Sequence, residues 1–229
     1  MARRKLSNVL ALAVLVTVAE QPRHPYEIAQ VLRSRGKDQS IKINYGSLYT
    51  VVQNLEKHGF IEEVGTERDG RRPERTVYGA TAAGRAEMHD WLAELLGTRE
   101  KEYPRFESAL SMALALHPDE VNRLLRQRLT ALDEEADANG AMLAEMREVL
   151  PRILLIEGEY NLAMARAEAD WVRELLRELA DGAISGAEQW RDIHETGQLP
   201  ERWKELDAEA ARAVERAQSE QHRERPDQG

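Results

Sequence analysis

Cysteine is absent from the 229 residues of this chain, and aromatic side chains make up only 5%, with just two phenylalanines. Without thiols the chain can form no disulfide, no thiolate-bound zinc or iron–sulfur site and no cysteine nucleophile. The scarcity of aromatic residues also argues against a deep aromatic cofactor pocket. We therefore expect no cofactor and no metal, and the lack of cysteine fits a reducing compartment.

No hydrophobic run is long enough for a membrane span, which needs about 20 apolar residues. The longest run, residues 9–19, follows Arg3, Arg4 and Lys5 and so imitates a secretory signal. A signal peptidase site would fall near Ala19, but Thr17 makes a poor match to the small-x-small cleavage pattern. The run also continues without a break into a segment typical of an intracellular module. We expect a cytoplasmic protein with no membrane partner.

Basic residues are outnumbered overall, 32 against 41 acidic ones, but they are not evenly spread. Residues 1–85 hold 14 Lys/Arg against 9 Asp/Glu, a net charge of +5, and residues 86–229 hold 18 against 32, a net of −14. A basic first third joined to an acidic remainder suits a DNA-reading module with a separate partner module, and such a split also occurs in proteins that never touch nucleic acid.

Catalytic patterns are also missing. The histidines are scattered, and none has metal-ligand spacing from another histidine or a suitable carboxylate; they are His24, His58, His89, His117, His194 and His222. The chain has no phosphate-binding glycine loop, nucleophile elbow or metallohydrolase motif. We expect that the protein is not an enzyme.

The first hundred residues show the order helix, helix, helix, hairpin, helix. Helices are predicted over 6–20, 25–35 and 45–58, with Asn44 as N-cap of the third. Strands are predicted over 60–64 and 75–78, and Thr81 caps a fourth helix. This order is that of a winged helix.

The remainder is helical in pattern, with helices predicted over 107–116, 118–148 and 151–181 and a stretch around 200–217, followed by a disordered tail from about 218. The helix over 151–181 has an apolar stripe at helical period, which needs a partner surface. Its members are Ile153, Ile156, Tyr160, Met164, Ala167, Trp171 and Leu175. Plain core packing is the other interpretation of such a stripe.

The third helix has two unlike faces. Leu48, Val51, Val52 and Leu55 share one face and are predicted to point inward. The opposite ridge is Gly46, Thr50, Gln53 and Lys57, flanked by Ser47, Tyr49 and Asn54, and it has no acid. Hydroxyls and lysine suit phosphates, and Gln or Asn can pair with adenine edges, so this ridge is predicted to read DNA. An ordinary solvated face is the alternative.

The hairpin carries a basic tip, with Arg71, Arg72 and Arg75 as candidate contacts to the DNA backbone or minor groove. A solubilising loop is the alternative. Lys42, Asn44 and Tyr45, just before and at the start of the third helix, complete the predicted DNA-binding set.

Several ordered motifs over roughly residues 8–96 resemble the PadR family of transcriptional regulators. Residues Ile43–Ile61 are similar to the family's recognition segment, and His24–Ile28 are similar to its His-Gly-Tyr-Glu-Ile motif. Residues Arg71–Tyr78 resemble its wing, and Thr81–Gly84 resemble the Thr-x-x-Gly motif that opens its next helix. Pro25 stands where the family usually has Gly, and Tyr45 where Pro is often found. The latter leaves the contacts at the start of the recognition helix open.

The resemblance implies a mainly α fold: a winged helix-turn-helix with a two-stranded wing over 1–97, a helical dimerisation domain over 104–182, and a charged extension over 183–229. It further implies a homodimeric repressor that binds a pseudo-palindromic operator in double-stranded DNA. Glu168 and Asp170-Trp171-Val172 resemble the long helix of the larger PadR subgroup.

The resemblance also implies a small aromatic effector, and Trp91 and Trp171 are its candidate contacts. Together with Trp190 and Trp203, these two tryptophans are candidates to line one aromatic cleft. The alternative function for the whole chain is a winged helix that contacts proteins and not DNA. Binding of random duplex at low salt separates these two functions.

Overall fold

The computed structural model describes residues 8–67, 75–199 and 201–223. The chain divides into two compact units, Met1–Glu102 and Tyr103–Gly229, each with its own hydrophobic core.

The first unit follows the predicted order of elements. Its members are α1 (Val9–Glu20), α2 (Pro25–Ser34), α3 (Tyr45–Lys57), β1 (Ile61–Glu67), β2 (Arg75–Ala80) and α4 (Ala82–Gly97), with a short 3-10 helix at Lys37–Gln39 between α2 and α3. The strands are longer than the sequence pattern predicted, since β1 continues to Glu67 and β2 to Ala80. The winged helix-turn-helix is thereby confirmed.

Side-chain caps explain where these helices begin. The Asn8 and Asn44 side chains accept hydrogen bonds from the backbone N–H groups of Leu10 and Ser47, at 2.9 and 2.7 Å. His24 Nδ1 accepts from Tyr26 N, and Glu27 accepts from His24 N in return. Each cap supplies an acceptor to N–H groups that have no partner within the helix, which fixes the first turn.

The core of the first unit is built around α1, which is apolar on most faces and buried along nearly its whole length. Against it pack Leu48, Val51, Val52 and Leu55 of α3, all buried as the helical spacing predicted. Because these four side chains lie inward, the opposite face of α3 must lie outward.

The hairpin pairs β1 and β2 antiparallel, with a register shift between Glu63 and Gly65. The backbone of Arg23, just before α2, adds two hydrogen bonds to Tyr78 at 3.0 Å and so lies against the open edge of β2. This bridge fixes the base of the wing beside the N-terminus of α2.

The Thr81-x-x-Gly84 motif has a structural role. Thr81 Oγ1 accepts from Gly84 N at 3.0 Å and donates to the carbonyl of Gly59 at 2.7 Å. A Cβ at Gly84 would lie 1.9 Å from the Phe60 carbonyl oxygen. Glycine is therefore required where α4 meets the chain just after α3, since any side chain would displace the backbone.

The second unit contains α5 (Arg105–Leu110), α6 (Pro118–Arg147), α7 (Ile156–Ala180), α8 (Ala187–Thr196) and α9 (Glu201–Arg223), with short 3-10 helices at Ala113–Ala115 and Arg152–Leu154. The helix predicted over 107–116 is thus two short pieces. The helix predicted to start at 151 starts at Ile156, because the chain after Pro151 first forms a 3-10 turn. The helix predicted over 200–217 continues to Arg223.

Helices α6 and α7 form a hairpin of two long helices. Leu132 of α6 and Val172 of α7 are buried together, and a Cβ at Gly158 would lie 2.9 Å from Leu143 Cδ2, so the helices approach closely there. Ion pairs also join the two helices: Arg128 pairs with Glu168, and Arg173 with Asp133 at 2.8 Å. Exposed pairs of this kind add at most about 1 kcal/mol each, so the buried apolar seam provides most of the stability.

Helix α8 packs on the start of α6. Trp190 is buried and donates from Nε1 to the Leu116 carbonyl at 2.9 Å, and a His194 ring nitrogen lies 2.9 Å from the Leu114 carbonyl. The core of the second unit thus includes a residue beyond 182, within the segment predicted as a charged extension. Of the helices that the structure describes, none has the combined length and hydropathy that crossing a membrane requires.

Candidate nucleic-acid interface

The outer face of α3 presents the predicted polar ridge to solvent. Gly46, Thr50, Gln53 and Lys57 are all exposed, Tyr49 beside them is 44% exposed, and Ser47 and Asn54 are half-buried. Of these side chains, Thr50 makes a local hydrogen bond: its Oγ1 donates to the Gly46 carbonyl at 3.0 Å. Its lone pairs stay available as acceptors, and the Gln53 amide can both donate and accept.

Gly46 lies in the first turn of α3, where no contact with the described residues requires a glycine. Among those residues, a Cβ added there would meet Asn44 Oδ1 at 3.8 Å, which is ordinary van der Waals contact. Without a Cβ, the backbone at Gly46 is open to close approach by a molecule from outside. Helix N-termini favour anions such as phosphate.

Tyr45, the first residue of α3, is held by neighbours from α2. Its ring stacks on Tyr26, with centroids 5.8 Å apart and planes 9° from parallel. Arg33 donates from Nη1 to Tyr45 Oη at 2.8 Å, and its guanidinium carbon lies 4.7 Å from the ring centroid. The sequence left the contacts of Tyr45 open; the structure shows it packed against α2 in the free protein.

The base of the wing reaches the same group. Arg75 begins β2, and its guanidinium carbon lies 5.8 Å from the ring centroid of Tyr26. Lys42, before α3, is exposed. Arg71 and Arg72 lie outside the described residues, so their place in the interface stays a prediction.

The predicted dimerisation stripe on the second unit is largely exposed. Ile156, Tyr160, Met164 and Trp171 of α7 are 49–65% exposed, and Ile153 in the preceding turn is 70% exposed. Ala167 is exposed and Leu175 is half-buried. A row of large apolar side chains in water is unfavourable, and contiguous patches of this kind usually mark interaction surfaces.

The tryptophans differ in environment. Trp91 is buried in the core of the first unit, and Trp190 in that of the second, so packing accounts for both. Trp203 is partly buried. Trp171 is 49% exposed and meets Phe106 edge-on, with ring centroids 6.2 Å apart. In the second unit, therefore, Trp171 is the candidate effector contact with an accessible face.

Sequence reasoning missed Arg33 as part of this surface. The residue is charged and lies in the last turn of α2, which is an ordinary solvated position on a sequence pattern alone. Its proximity to Tyr45, twelve positions along the chain, depends on how α2 and α3 cross. In the described part of the chain, no group of three or more His, Asp or Glu side chains is placed to hold a metal ion.

Comparison with known proteins gives a family match over part of the chain. Residues 14–90 match the transcriptional regulator PadR-like family. A comparison with curated protein sequences finds no match.

Solved structures share the fold at low sequence identity. Bacillus subtilis PadR in complex with operator DNA is 19% identical, with a TM-score of 0.63 over 74% of this chain and 98% of that chain. The same protein in complex with p-coumaric acid is 17% identical, with a TM-score of 0.58 over 74% and 98%. The Vibrio cholerae virulence activator AphA is 16% identical, with a TM-score of 0.58 over 75% and 98%.

The sequence match covers α3 and both strands of the wing, and the structural matches extend over most of the chain. Residues 14–90 are thus similar to the PadR-like family of transcriptional regulators, and the solved structures share the fold of this chain.

Proposed function

We propose that this protein binds double-stranded DNA as a homodimeric transcriptional regulator, with α3 in the major groove and the wing on the adjacent backbone. The observation that carries the proposal is the outer ridge of α3, which is polar and exposed along its length while the inner face is buried. The solved complex of B. subtilis PadR with operator DNA supports it by similarity of fold.

The ridge has the chemistry that base reading needs. The Gln53 amide can pair in bidentate fashion with an adenine edge, and the Thr50 hydroxyl can accept a hydrogen bond from a base. Lys42 and Lys57, at either end of α3, suit phosphates and would orient the helix without selecting sequence. Arg71, Arg72 and Arg75 of the wing would contribute further backbone contacts.

Titration of a labelled mixed-sequence duplex at low salt tests DNA binding directly. Non-specific dissociation constants of about 10⁻⁴–10⁻⁶ M are typical at physiological salt, and binding should tighten as salt is lowered. Absence of binding well above this range would reject DNA recognition and favour a winged helix that contacts proteins.

Once DNA fragments captured by the protein define an operator, Thr50→Ala and Gln53→Ala test the ridge. Either change should lower operator affinity by about 1–3 kcal/mol if the group contacts a base edge. Leu48→Ala is unsuitable as a control, since it would disturb the core; Glu62→Gln on the exposed side of β1 is the matched surface change. Unchanged operator affinity in both ridge variants would reject the assignment.

We further propose that the exposed apolar stripe of α7 is the dimer interface. Its side chains span about five turns of the helix, and a second copy of the same stripe would cover them by the two-fold symmetry of most homodimers. Two α3 helices about 34 Å apart would then meet a pseudo-palindromic operator with half-sites one helical turn apart.

Measurement of the mass in solution tests the interface. The wild-type protein should run at about twice the 26.0 kDa of one chain, and Met164→Asp should shift it toward one chain because a carboxylate would be desolvated at the interface. Met112→Asp is the matched control, since Met112 is 63% exposed but lies outside α7. A wild-type monomer, or an unaltered dimer in Met164→Asp, would reject the stripe.

Repression and effector release complete the proposal. A dimer bound to two half-sites occludes promoter DNA, so deletion of the regulator should raise expression of a reporter fused to the operator. A fall in expression would make it an activator, as the name of AphA states for that protein.

A small aromatic effector should quench the fluorescence of half-exposed Trp171, and Trp171→Phe should abolish that quenching. Flat traces with a panel of phenolic acids would reject the effector.

A further inference from the structure

Four side chains from three elements form a continuous stack on the first unit. In order they are Arg75 at the start of β2, Tyr26 at the start of α2, Tyr45 at the start of α3 and Arg33 in the last turn of α2. The guanidinium carbon of Arg75 lies 5.8 Å from the Tyr26 ring centroid, and the two tyrosine centroids are 5.8 Å apart. The guanidinium carbon of Arg33 lies 4.7 Å from the Tyr45 centroid. We refer to these four residues as the cation–aromatic ladder.

The ladder lies at the start of the DNA-facing ridge. Tyr45 immediately precedes Gly46, whose open surface favours a close approach from outside. Arg33 is joined by a 2.8 Å hydrogen bond to Oη of Tyr45, the first residue of α3. At the other end, Arg75 lies at the base of the wing.

Both guanidinium groups keep donors free. A guanidinium that stacks by its face leaves its N–H edge available, and Arg33 uses one of its five N–H groups on Tyr45. Among the described side chains, neither Arg33 nor Arg75 has a carboxylate within ion-pair distance. By contrast, Arg35, two residues from Arg33, is paired with Glu20 at 2.8 Å.

The stack also restricts the two arginines before any ligand arrives. An exposed arginine loses up to about 2 kcal/mol of rotamer entropy when it is ordered. Stacking on tyrosine and the bond to Tyr45 Oη offset part of that entropy loss within the free protein. An ordered guanidinium that has no carboxylate partner among the described residues is suited to a phosphate group, which it can bind through two N–H groups.

We infer that Arg33 is a DNA-backbone contact, held in place by Tyr45, and that the ladder extends the phosphate-binding surface from the wing base across α2 to the start of α3. The inference rests on the proposed DNA-binding function and adds a contact residue that the sequence pattern did not indicate. Tyr45 acts here as a positioning residue, since its ring and hydroxyl order the guanidinium and not the DNA.

A salt titration with a matched set of variants tests the inference. The probe is a mixed-sequence duplex of about 30 base pairs, long enough for two half-sites one turn apart. The proteins are the wild type, Arg33→Ala, Arg33→Lys, Tyr45→Leu, the double variant Arg33→Ala/Tyr45→Leu, and Arg35→Ala as control. Thermal unfolding of each protein verifies that the fold is retained.

Removal of one phosphate-binding guanidinium in Arg33→Ala should reduce the slope of log affinity against log salt by about 0.9 for each bound subunit. Arg35→Ala should keep the wild-type slope, since its charge is already paired. Tyr45→Leu should weaken binding in the wild-type background and have no further effect in the Arg33→Ala background. Arg33→Lys should bind less tightly than the wild type, because an ammonium cannot stack and bridge in the same way.

The outcomes separate the inference from the function on which it rests. A wild type that ignores the duplex at low salt overturns both. A wild type that binds, with an unchanged slope in Arg33→Ala, overturns the inference alone. Reductions in affinity that multiply in the double variant show that Tyr45 acts independently of Arg33 and overturn the positioning role.

Discussion

Two exposed helix faces of this protein have opposite chemistry. The outer face of α3 carries Thr50, Gln53 and Lys57 over a buried apolar face, whereas α7 exposes large apolar side chains, namely Tyr160, Met164 and Trp171. Both helices bury leucine and valine on their inner side. The difference therefore lies in what each helix presents outward, and it is the basis of the two partners that we propose: DNA for α3 and a second copy of the chain for α7.

The two faces also differ in their surroundings. The start of α3 is bordered by Arg33 of α2 and, through Tyr26, by Arg75 of the wing. Ion pairs such as Arg173–Asp133 join α6 to α7, but residues 86–229 keep a net charge of −14. Cations attract phosphate, whereas an acidic surface repels it, so large apolar side chains are the main means by which α7 can associate with a partner.

The largest loss of stability is expected at Gly84, where the first unit has no room for a side chain. Gly84→Ala would place a Cβ 1.9 Å from the Phe60 carbonyl oxygen, so the free energy of unfolding should fall by about 3 kcal/mol, the upper end of overpacking effects. Gly97→Ala, in the same helix with open space around it, should change stability by less than about 1 kcal/mol. Urea denaturation of both variants measures the difference, and equal stabilities would show that α4 does not depend on this close approach.

Gly46→Ala sharpens the distinction between folding and binding. Because none of the described residues crowds this position, the free energy of unfolding should be unchanged or should rise by less than about 1 kcal/mol. DNA affinity should nevertheless fall by about 1–3 kcal/mol if the backbone of α3 approaches the duplex here. Retained affinity would place the DNA further along the ridge.

The wing should affect salt dependence more than affinity at low salt. Replacement of Arg71 and Arg72 together by alanine should lower the salt slope of duplex binding by about 0.9 for each phosphate that the variant no longer binds. Arg126→Ala, an exposed arginine on α6 that bonds to Asn122, serves as the control and should leave the slope unchanged. A wild-type slope in the double variant would remove the tip of the wing from the interface.

The smallest effect concerns the ion pair between Glu20 and Arg35. The hydrogen bond from Arg35 lowers the pKa of the Glu20 carboxyl below its ordinary value. A folded-state pKa below the unfolded one stabilises the protein above the unfolded pKa, and this stabilisation is lost as pH falls through the folded value. Since both side chains are over 40% exposed, we expect well under about 1 kcal/mol.

Glu20→Gln tests that pair. Its free energy of unfolding should be slightly below the wild-type value near neutral pH and should converge with it in acid, where Glu20 is protonated in both states. A constant difference across this range would show that the effect of the substitution is not electrostatic.

Local patterns in the sequence predicted most of the first unit. Asn44, Thr81 and the spacing of Leu48, Val51, Val52 and Leu55 are signals confined to one or two turns, and the structure confirms each of them. The outward ridge followed from the same spacing, since a helix that buries one face exposes the other. The predicted strands were too short, and the single helix predicted over 107–116 is broken in the structure. Turn geometry at these places depends on neighbouring elements.

Other features required contacts between distant positions. Arg33 meets Tyr45 across the crossing of α2 and α3, and Trp190 donates to Leu116 across 74 positions. No local pattern placed Arg33 beside α3 or assigned a packing role to residues after 182. A pattern of period 3.6 shows which side of a helix is buried, but not which helix buries it.

The amino-acid order alone determined that this is a mainly helical chain with a winged-helix beginning, an apolar long helix and an acid-free polar ridge, since caps, periodicity and turn residues act over a few positions. Tertiary structure alone decided that Tyr45 packs against α2, that the described residues leave room at Gly46 but none at Gly84, and that the large side chains of the α7 stripe are exposed. These depend on the distances between elements, which arise only when separate parts of the chain pack together.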